Sequence, residues 1–239
     1  MQNLLENILN MNKFALVGKD ISHSRSPEMY KKLISSDVQY DLLDYKSENE
    51  IPSASDLLSR YDGINITSPY KKHFLNQVEM TEVASRIGAI NCLKKVNGKI
   101  VGENTDYLAI VDILKQMQRD YGALEVIILG DGVMANVAKL ALISLGLSFK
   151  LLSRKLTEDF NQLNLIGSFQ LPSARPLVIN TCAREFIFHG TIPDRALFWD
   201  FNYNFDQHSS IIPGKVHKYV DGLEMLERQA FYAVAFWSK

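Results

Sequence analysis

Cysteine is scarce in this chain: 239 residues contain two, Cys92 and Cys182, and neither sits in a CxxC pair or a metal-ligand cluster. A disulfide scaffold and a zinc module are therefore excluded, no metal ligand set is expected, and both thiols are expected reduced in a cytoplasmic protein. Charge of one sign is lacking as well. The formal net charge is -1, so nothing in the balance points to nucleic acid or a membrane surface. No apolar run is long enough to cross a bilayer. Residues 1–10 lack the basic start and apolar core of a signal peptide. Their apolar positions, Leu4, Leu5, Ile8 and Leu9, have helical spacing and predict an extra amphipathic helix. There is no internal repeat and no low-complexity linker. What remains is ordinary globular composition, 46% hydrophobic and 22% charged, with material for a substantial core. The length allows one large domain or two small ones.

The pattern along the chain predicts two α/β units. Residues 14–17, 40–45 and 63–66 read as strands, and Ser26-Pro27-Glu28 as a helix start with serine as N-cap and proline in the first turn. Residues 81–87 read as a helix. Residues 89–96 and 99–103 flank Asn97-Gly98, a strong hairpin signal. Thr105 or Asp106 is expected to cap a long helix through Met117. After Gly122 the character changes to short buried runs bounded by turns. Strands are expected at 125–129, 148–152, 177–180 and 196–201, with helices through Leu145 and over 157–165. This βαβαβ succession predicts a Rossmann-like, doubly wound parallel sheet. The apolar helix at 223–237 is expected to return to the first unit. The expected division is 1–105, 106–220 and 221–239.

Short polar clusters lie at the edges of apolar runs in the first half: Ser24-Arg25-Ser26-Pro27, residues 65–71, Asn91 and Asn104-Thr105-Asp106. Their hydroxyls, amides, amine and carboxylate suit a small polyhydroxylated acid. Lys71 follows a strand end, where ligand sites of open sheets gather. A lysine can handle a hydroxyl proton when a carboxylate orients it, and Asp106 could do so. A solvated helix start for Lys71 and a plain N-cap for Asp106 stay open. In the second half, Gly130-Asp131-Gly132-Val133-Met134-Ala135 is a GxGxxA turn between a strand and a helix, suited to a pyrophosphate. A ligand-free turn is the alternative. Beyond it, Ser153-Arg154-Lys155 stands where an NAD site usually carries an acid, and Arg154 can grip a phosphate bidentately. That favours NADP, against the alternative of a solvated basic turn. Asp131 adds negative charge close to the phosphates.

Taken in order, these elements resemble the shikimate dehydrogenase family over nearly the whole chain. The elements are S-x-S-P at 24–27, N-V-T-x-P-[FY]-K at 65–71, G-A-[VI]-N at 88–91, G-x-N-T-D at 102–106 and D-G-x-x-M-L-x-x-Q at 221–229. The resemblance implies NADP-dependent, reversible reduction of 3-dehydroshikimate to shikimate, a step toward chorismate and the aromatic amino acids. It implies that Lys71 and Asp106 are catalytic. Ser24, Ser26, Thr67, Asn91 and Gln229 would hold the substrate with them, and Tyr203, from a retained D-x-x-Y, would lie near substrate and nicotinamide. Residues 130–135 and 153–155, Asn180, Thr181 and Gly222 are implied to bind the cofactor. The turn departs from G-A-G-G-A-[SA], and N-[AT]-T-x-x-G loses its glycine at Glu185. Quinate or another hydroxylated ring acid as substrate, or a ligand-binding relative that has lost productive cofactor binding, are the alternatives. The expected partner is a small molecule, in a monomer or homodimer.

Overall fold

The computed structural model describes residues 12–238, so the helix expected at residues 1–10 lies outside the described residues. The chain forms two compact units. One comprises the residues through Ala109 together with Leu226 onward, and the other is Ile110–Met225. Both divisions fall inside helices, a few residues beyond the expected 105/106 and 220/221.

The first unit is built on a six-stranded mixed sheet. Its strands are β1 (Lys13–Gly18), β2 (Gln39–Asp44), β3 (Gly63–Ile66), β4 (Glu79–Met80), β5 (Cys92–Val96) and β6 (Lys99–Glu103), in the order β2-β1-β3-β5-β6-β4. β1 runs parallel to both β2 and β3, while β5 is antiparallel to β3 and β6. The β5–β6 hairpin turns at Asn97-Gly98, both with positive φ, as the sequence signal requires. β1 is apolar at every second and every first position because both faces of the sheet are covered. Ala15 and Val17 pack with Leu57, Ile64, Phe74 and Ile90. Phe14 and Leu16 pack on the other face with Tyr30 of α1 (Ser26–Leu33) and with Ala230, Ala233 and Trp237 of α7 (Leu223–Trp237). The returning helix expected from the sequence is thus a wall of this core. Two further short helices, α2 (Ala54–Leu58) and α3 (Glu82–Ile87), start at Ser53 and Thr81, whose side chains accept N–H bonds from Asp56 and Ala84.

Two expected helix starts shift by a residue or more. Ser26 is the first helical residue of α1 rather than its cap, and its N–H donates to the hydroxyl of Ser24. For α4 (Thr105–Tyr121), the Asn104 side chain accepts from the N–H of Tyr107, so neither Thr105 nor Asp106 serves as the cap.

The second unit carries five parallel strands: β7 (Leu124–Leu129), β8 (Phe149–Leu152), β9 (Arg175–Asn180), β10 (Leu197–Asp200) and β11 (Lys218–Val220). Their order is β11-β10-β9-β7-β8. β7 is flanked by β8 and β9, so the switch in winding lies between β7 and β9. α5 (Val133–Ser144) connects β7 to β8. The helix expected at 157–165 is absent; only a 3-10 turn, Phe160–Gln162, forms there. Tertiary pairing overrides the helical pattern. Leu165 N–H donates to Thr191 O, Thr191 N–H to Leu163 O, and His189 N–H to Asn161 O, which draws the segment out as an extended partner of 189–191. Phe160, Leu165, Phe188 and Ile212 still cover Ile127, Val178 and Phe198 of the sheet. A four-residue helix, α6 (Asp206–Ser209), follows β10.

Gly63 opens β3 directly beneath Trp237. A Cβ there would lie 2.5 Å from the indole, which is stacked on Phe14 at 4.6 Å and donates to Leu93 O. Gly63→Ala is expected to destabilise the chain by about 1–3 kcal/mol through overpacking, read as a lower urea midpoint at unchanged far-UV signal.

Candidate active site

The β1 and β3 strands end side by side in the first unit, and the loops that follow carry the polar clusters. Asp44, at the end of β2, accepts the N–H groups of Asp20 and Ile21, which fixes the loop before Ser24. Ser24 and Ser26 form a hydroxyl pair, Oγ to Oγ 3.2 Å. Thr67 is held to β1 through its N–H on Val17 O, and the Ser68-Pro69 bond that follows is cis. Tyr70 is anchored by its hydroxyl on Tyr45 O.

Lys71 then turns inward. Its Nζ lies 2.6 Å from Asp106 Oδ2, with side-chain exposures of 9% and 8%. Neither residue is a solvated helix start or a helix cap. Because Asn104 takes the capping duty of α4, the Asp106 carboxylate is left free to pair with the amine. Beside them Asn91 Oδ1 accepts from the N–H of Thr105 at 2.7 Å, and its amide donates to Thr105 Oγ1 at 3.0 Å and to Gln229 Oε1 at 3.4 Å. Gln229 comes from α7, more than a hundred residues along the chain. The polar residues expected at 71, 91, 106 and 229 are therefore buried together in this unit. One member was given no role by the sequence reading. Asn65 is buried, accepts from the Tyr40 hydroxyl at 2.8 Å and donates to Asn91 O at 3.2 Å. Its place at the head of the 65–71 element, one strand residue before Thr67, was the available signal. The cluster combines an amine–carboxylate pair with amides and hydroxyls, which suits proton transfer on a polyhydroxylated ligand.

The second unit holds its candidate residues at the C-terminal ends of β7, β8, β9 and β10. Gly130 has φ +109, and a Cβ there would meet Thr181 Oγ1 at 2.6 Å. The switch point is thus closed by backbone, with Thr181 donating to Leu129 O from both N–H and hydroxyl. Gly132 precedes α5 without any side-chain cap, faces open space, and no acid lies in the first turn of the helix. A helix start without a side-chain cap is an anion-binding end. Ala135 is buried, the close-packed third position of the turn. Val133 and Met134 are half-buried in that first turn. Across from it, Ser153 is buried, while Arg154 and Lys155 are exposed. Lys155 Nζ sits 2.9 Å from Asp131 Oδ2 and holds that carboxyl below its usual range. These residues fit a phosphorylated dinucleotide: backbone donors for the pyrophosphate, room above Gly132, and cations beside β8.

Asn180 is wholly buried and turns away from solvent. It donates to Asp200 Oδ1 at 3.0 Å and accepts from Cys182 N–H. Asp200 also accepts from Asn202 N–H and Nδ2, from the Tyr219 hydroxyl, and from His208 Nδ1 at 2.6 Å. His208 Nε2 accepts from Phe188 N–H, so the network assigns the single imidazole proton to Nδ1. This buried hub positions the loops after β9 and β10, including Tyr203, and Gly222 N–H ties back to Asn202 O. His208 lies outside every element that the sequence reading singled out. Burial pushes the thiol of half-buried Cys182 up to about 12, although Arg154 opposes the shift.

Residues 16–93 match the family model for the shikimate dehydrogenase substrate binding domain. Similar curated proteins include shikimate dehydrogenase of Sulfurisphaera tokodaii, 29% identical over 234 residues, covering 93% of this chain and 87% of that protein. Shikimate dehydrogenase (NADP(+)) of Buchnera aphidicola is also 29% identical, covering 94% of this chain and 91% of its own length. Among solved structures, shikimate dehydrogenase from Aquifex aeolicus superposes with TM-score 0.77 at 21% identity, covering 95% of this chain and 92% of that one. The Thermus thermophilus enzyme in complex with NADP(H) and shikimate gives TM-score 0.68 at 23% identity, covering 95% and 93%. The chain is thus similar to shikimate dehydrogenases over nearly its whole length.

Replacing His208 with alanine strips one donor from Asp200 and leaves the Phe188 N–H without an acceptor. A loss of about 3 kcal/mol is expected, visible in urea unfolding. The Cys182 thiol should resist iodoacetamide in the native protein near neutral pH, with its rate climbing only as pH approaches about 12. Rapid native labelling of Cys182 at pH 8 would contradict its burial.

Proposed function

We propose that this chain is an NADP-dependent shikimate dehydrogenase that reversibly reduces 3-dehydroshikimate to shikimate. The observation that carries the reading is the buried Lys71–Asp106 pair, at 2.6 Å, in the unit that also buries Asn65, Asn91 and Gln229. Similarity to enzymes of that name over more than nine-tenths of the chain supports it.

Bound NADP supplies the hydride chemistry at its nicotinamide. Gly130, Gly132 and the first turn of α5 would hold its pyrophosphate, and Arg154 its 2′-phosphate. In the oxidative direction the Lys71 amine takes the proton of the C3 hydroxyl as the alcohol becomes a ketone. In the reductive direction the Lys71 ammonium returns that proton to the C3 oxygen. Asp106 aims the amine and balances its charge in either state. Asn65, Asn91 and Gln229 would fix the ring hydroxyls, and Thr67 would share in that hold. Ser24 and Ser26 present two hydroxyl donors for the ring carboxylate. Tyr203 would close on the nicotinamide side. A chain with a formal net charge of only -1 and a buried polar cluster suits a small-molecule partner; location in the cytoplasm is consistent with two free cysteines.

The test is absorbance of reduced nicotinamide during turnover of shikimate with NADP. Lys71→Ala is expected to lower kcat by roughly 10²–10⁴ with a much smaller change in KM for shikimate. Asp106→Asn, which keeps a hydrogen-bond acceptor beside the amine, is expected to lose less kcat and to shift the pH profile. Near-normal turnover by Lys71→Ala would sink the assigned role, and turnover of quinate alone would redirect the substrate.

A further inference from the structure

The cofactor turn carries one residue that opposes the reading of a simple NADP site, and the structure shows what becomes of it. Asp131 follows Gly130, and Ser153-Arg154-Lys155 follows β8, the strand hydrogen-bonded to β7. Gly130 N–H donates to Leu152 O at 2.9 Å, so the two strand ends are locked side by side. Across that lock Asp131 Oδ2 and Lys155 Nζ form an ion pair at 2.9 Å, and Asp131 also faces Ser153. The three charged groups beside the adenosine end thus sum to one positive charge, and one of the two cations is already engaged.

We infer that Asp131 is a specificity-determining residue of the dinucleotide site: by engaging Lys155 it takes one of the two cations beside β8, leaving Arg154, and narrows the preference for NADP over NAD. The inference rests on the cofactor reading above and deepens it. A 2′-phosphate brings about 1.5–2 negative charges close to this carboxylate, which repels it. The 2′-hydroxyl of NAD is instead a donor that a carboxylate accepts. One aspartate therefore taxes the phosphorylated cofactor and tolerates the other. Because Asp131 is partly exposed, the repulsion is a salt-sensitive effect rather than an absolute bar.

Equilibrium titration by calorimetry separates the possibilities without relying on turnover. Asp131→Asn frees Lys155 and keeps an acceptor for a hydroxyl. It is expected to tighten NADP at least about fivefold at low salt and to move NAD less than about twofold, with the gain shrinking at about 0.5 M salt. Lys155→Gln exposes the bare carboxylate and is expected to weaken NADP about tenfold. The double variant is expected to return to within about threefold of the native chain, since both charges leave together. If Lys155 were simply a phosphate ligand and Asp131 a bystander, Asp131→Asn would leave NADP unchanged and the double variant would stay as weak as Lys155→Gln. Either result overturns the inference. A native chain that binds neither dinucleotide would refute the cofactor reading itself, and this inference with it, while shikimate binding measured in parallel would show whether the rest of the proposed function survives.

Discussion

The buried ion pair between Lys71 and Asp106 is the constraint around which the first unit is arranged. A charge taken out of water is costly unless it is paired and its remaining hydrogen-bonding positions are filled. The same unit buries Asn65, Asn91, Thr105 and Gln229 as one connected polar cluster, with Thr105 next to Asp106 in the chain. The pair also depends on a division of labour three residues long. Asn104 caps α4, Thr105 links to Asn91, and Asp106 faces the amine. Had Asp106 been the cap, its oxygens would have been committed to backbone N–H groups instead of to the lysine.

The second unit solves a different problem, the close approach of backbone to an anion. There the fixed parts are Gly130 against Thr181 and the uncapped start of α5. The Asp200 hub ties together the two loops that follow β9 and β10. Asn180 belongs to this support. The sequence reading assigned it to the cofactor, and its buried amide is spent on Asp200 and Cys182 instead.

Much of this was legible in the sequence, and the limits have physical causes. Strands covered on both faces, such as β1 and β7, appear as short apolar runs, and the Asn97-Gly98 turn and the glycine turn are local signals. The polar clusters were legible because several short elements occur in a fixed order. Helix caps were misjudged at both Ser26 and Thr105–Asp106, because several capping residues stood in a row and only tertiary partners choose among them. The helix expected at 157–165 fails because distant backbone, at 189–191, competes for its carbonyls at Asn161 and Leu163 and for the Leu165 N–H. The partnerships of Asp131 with Lys155 and of Asp200 with His208 join residues on different strands, and no single window of sequence contains either pair.

Gln229 and Trp237 both belong to the first unit, although a whole second unit intervenes in the chain before them. The first unit is therefore discontinuous, and its two parts are separated in synthesis by the whole of the second unit. While the ribosome makes Ile110–Met225, the sheet that begins at Lys13 lacks the helix that covers Phe14 and Tyr30. A nascent chain holds that apolar face open until Leu223–Trp237 emerges, so completion of this core waits for that helix. The same helix delivers Gln229, so the polar cluster gains its last member only when the core beneath it closes.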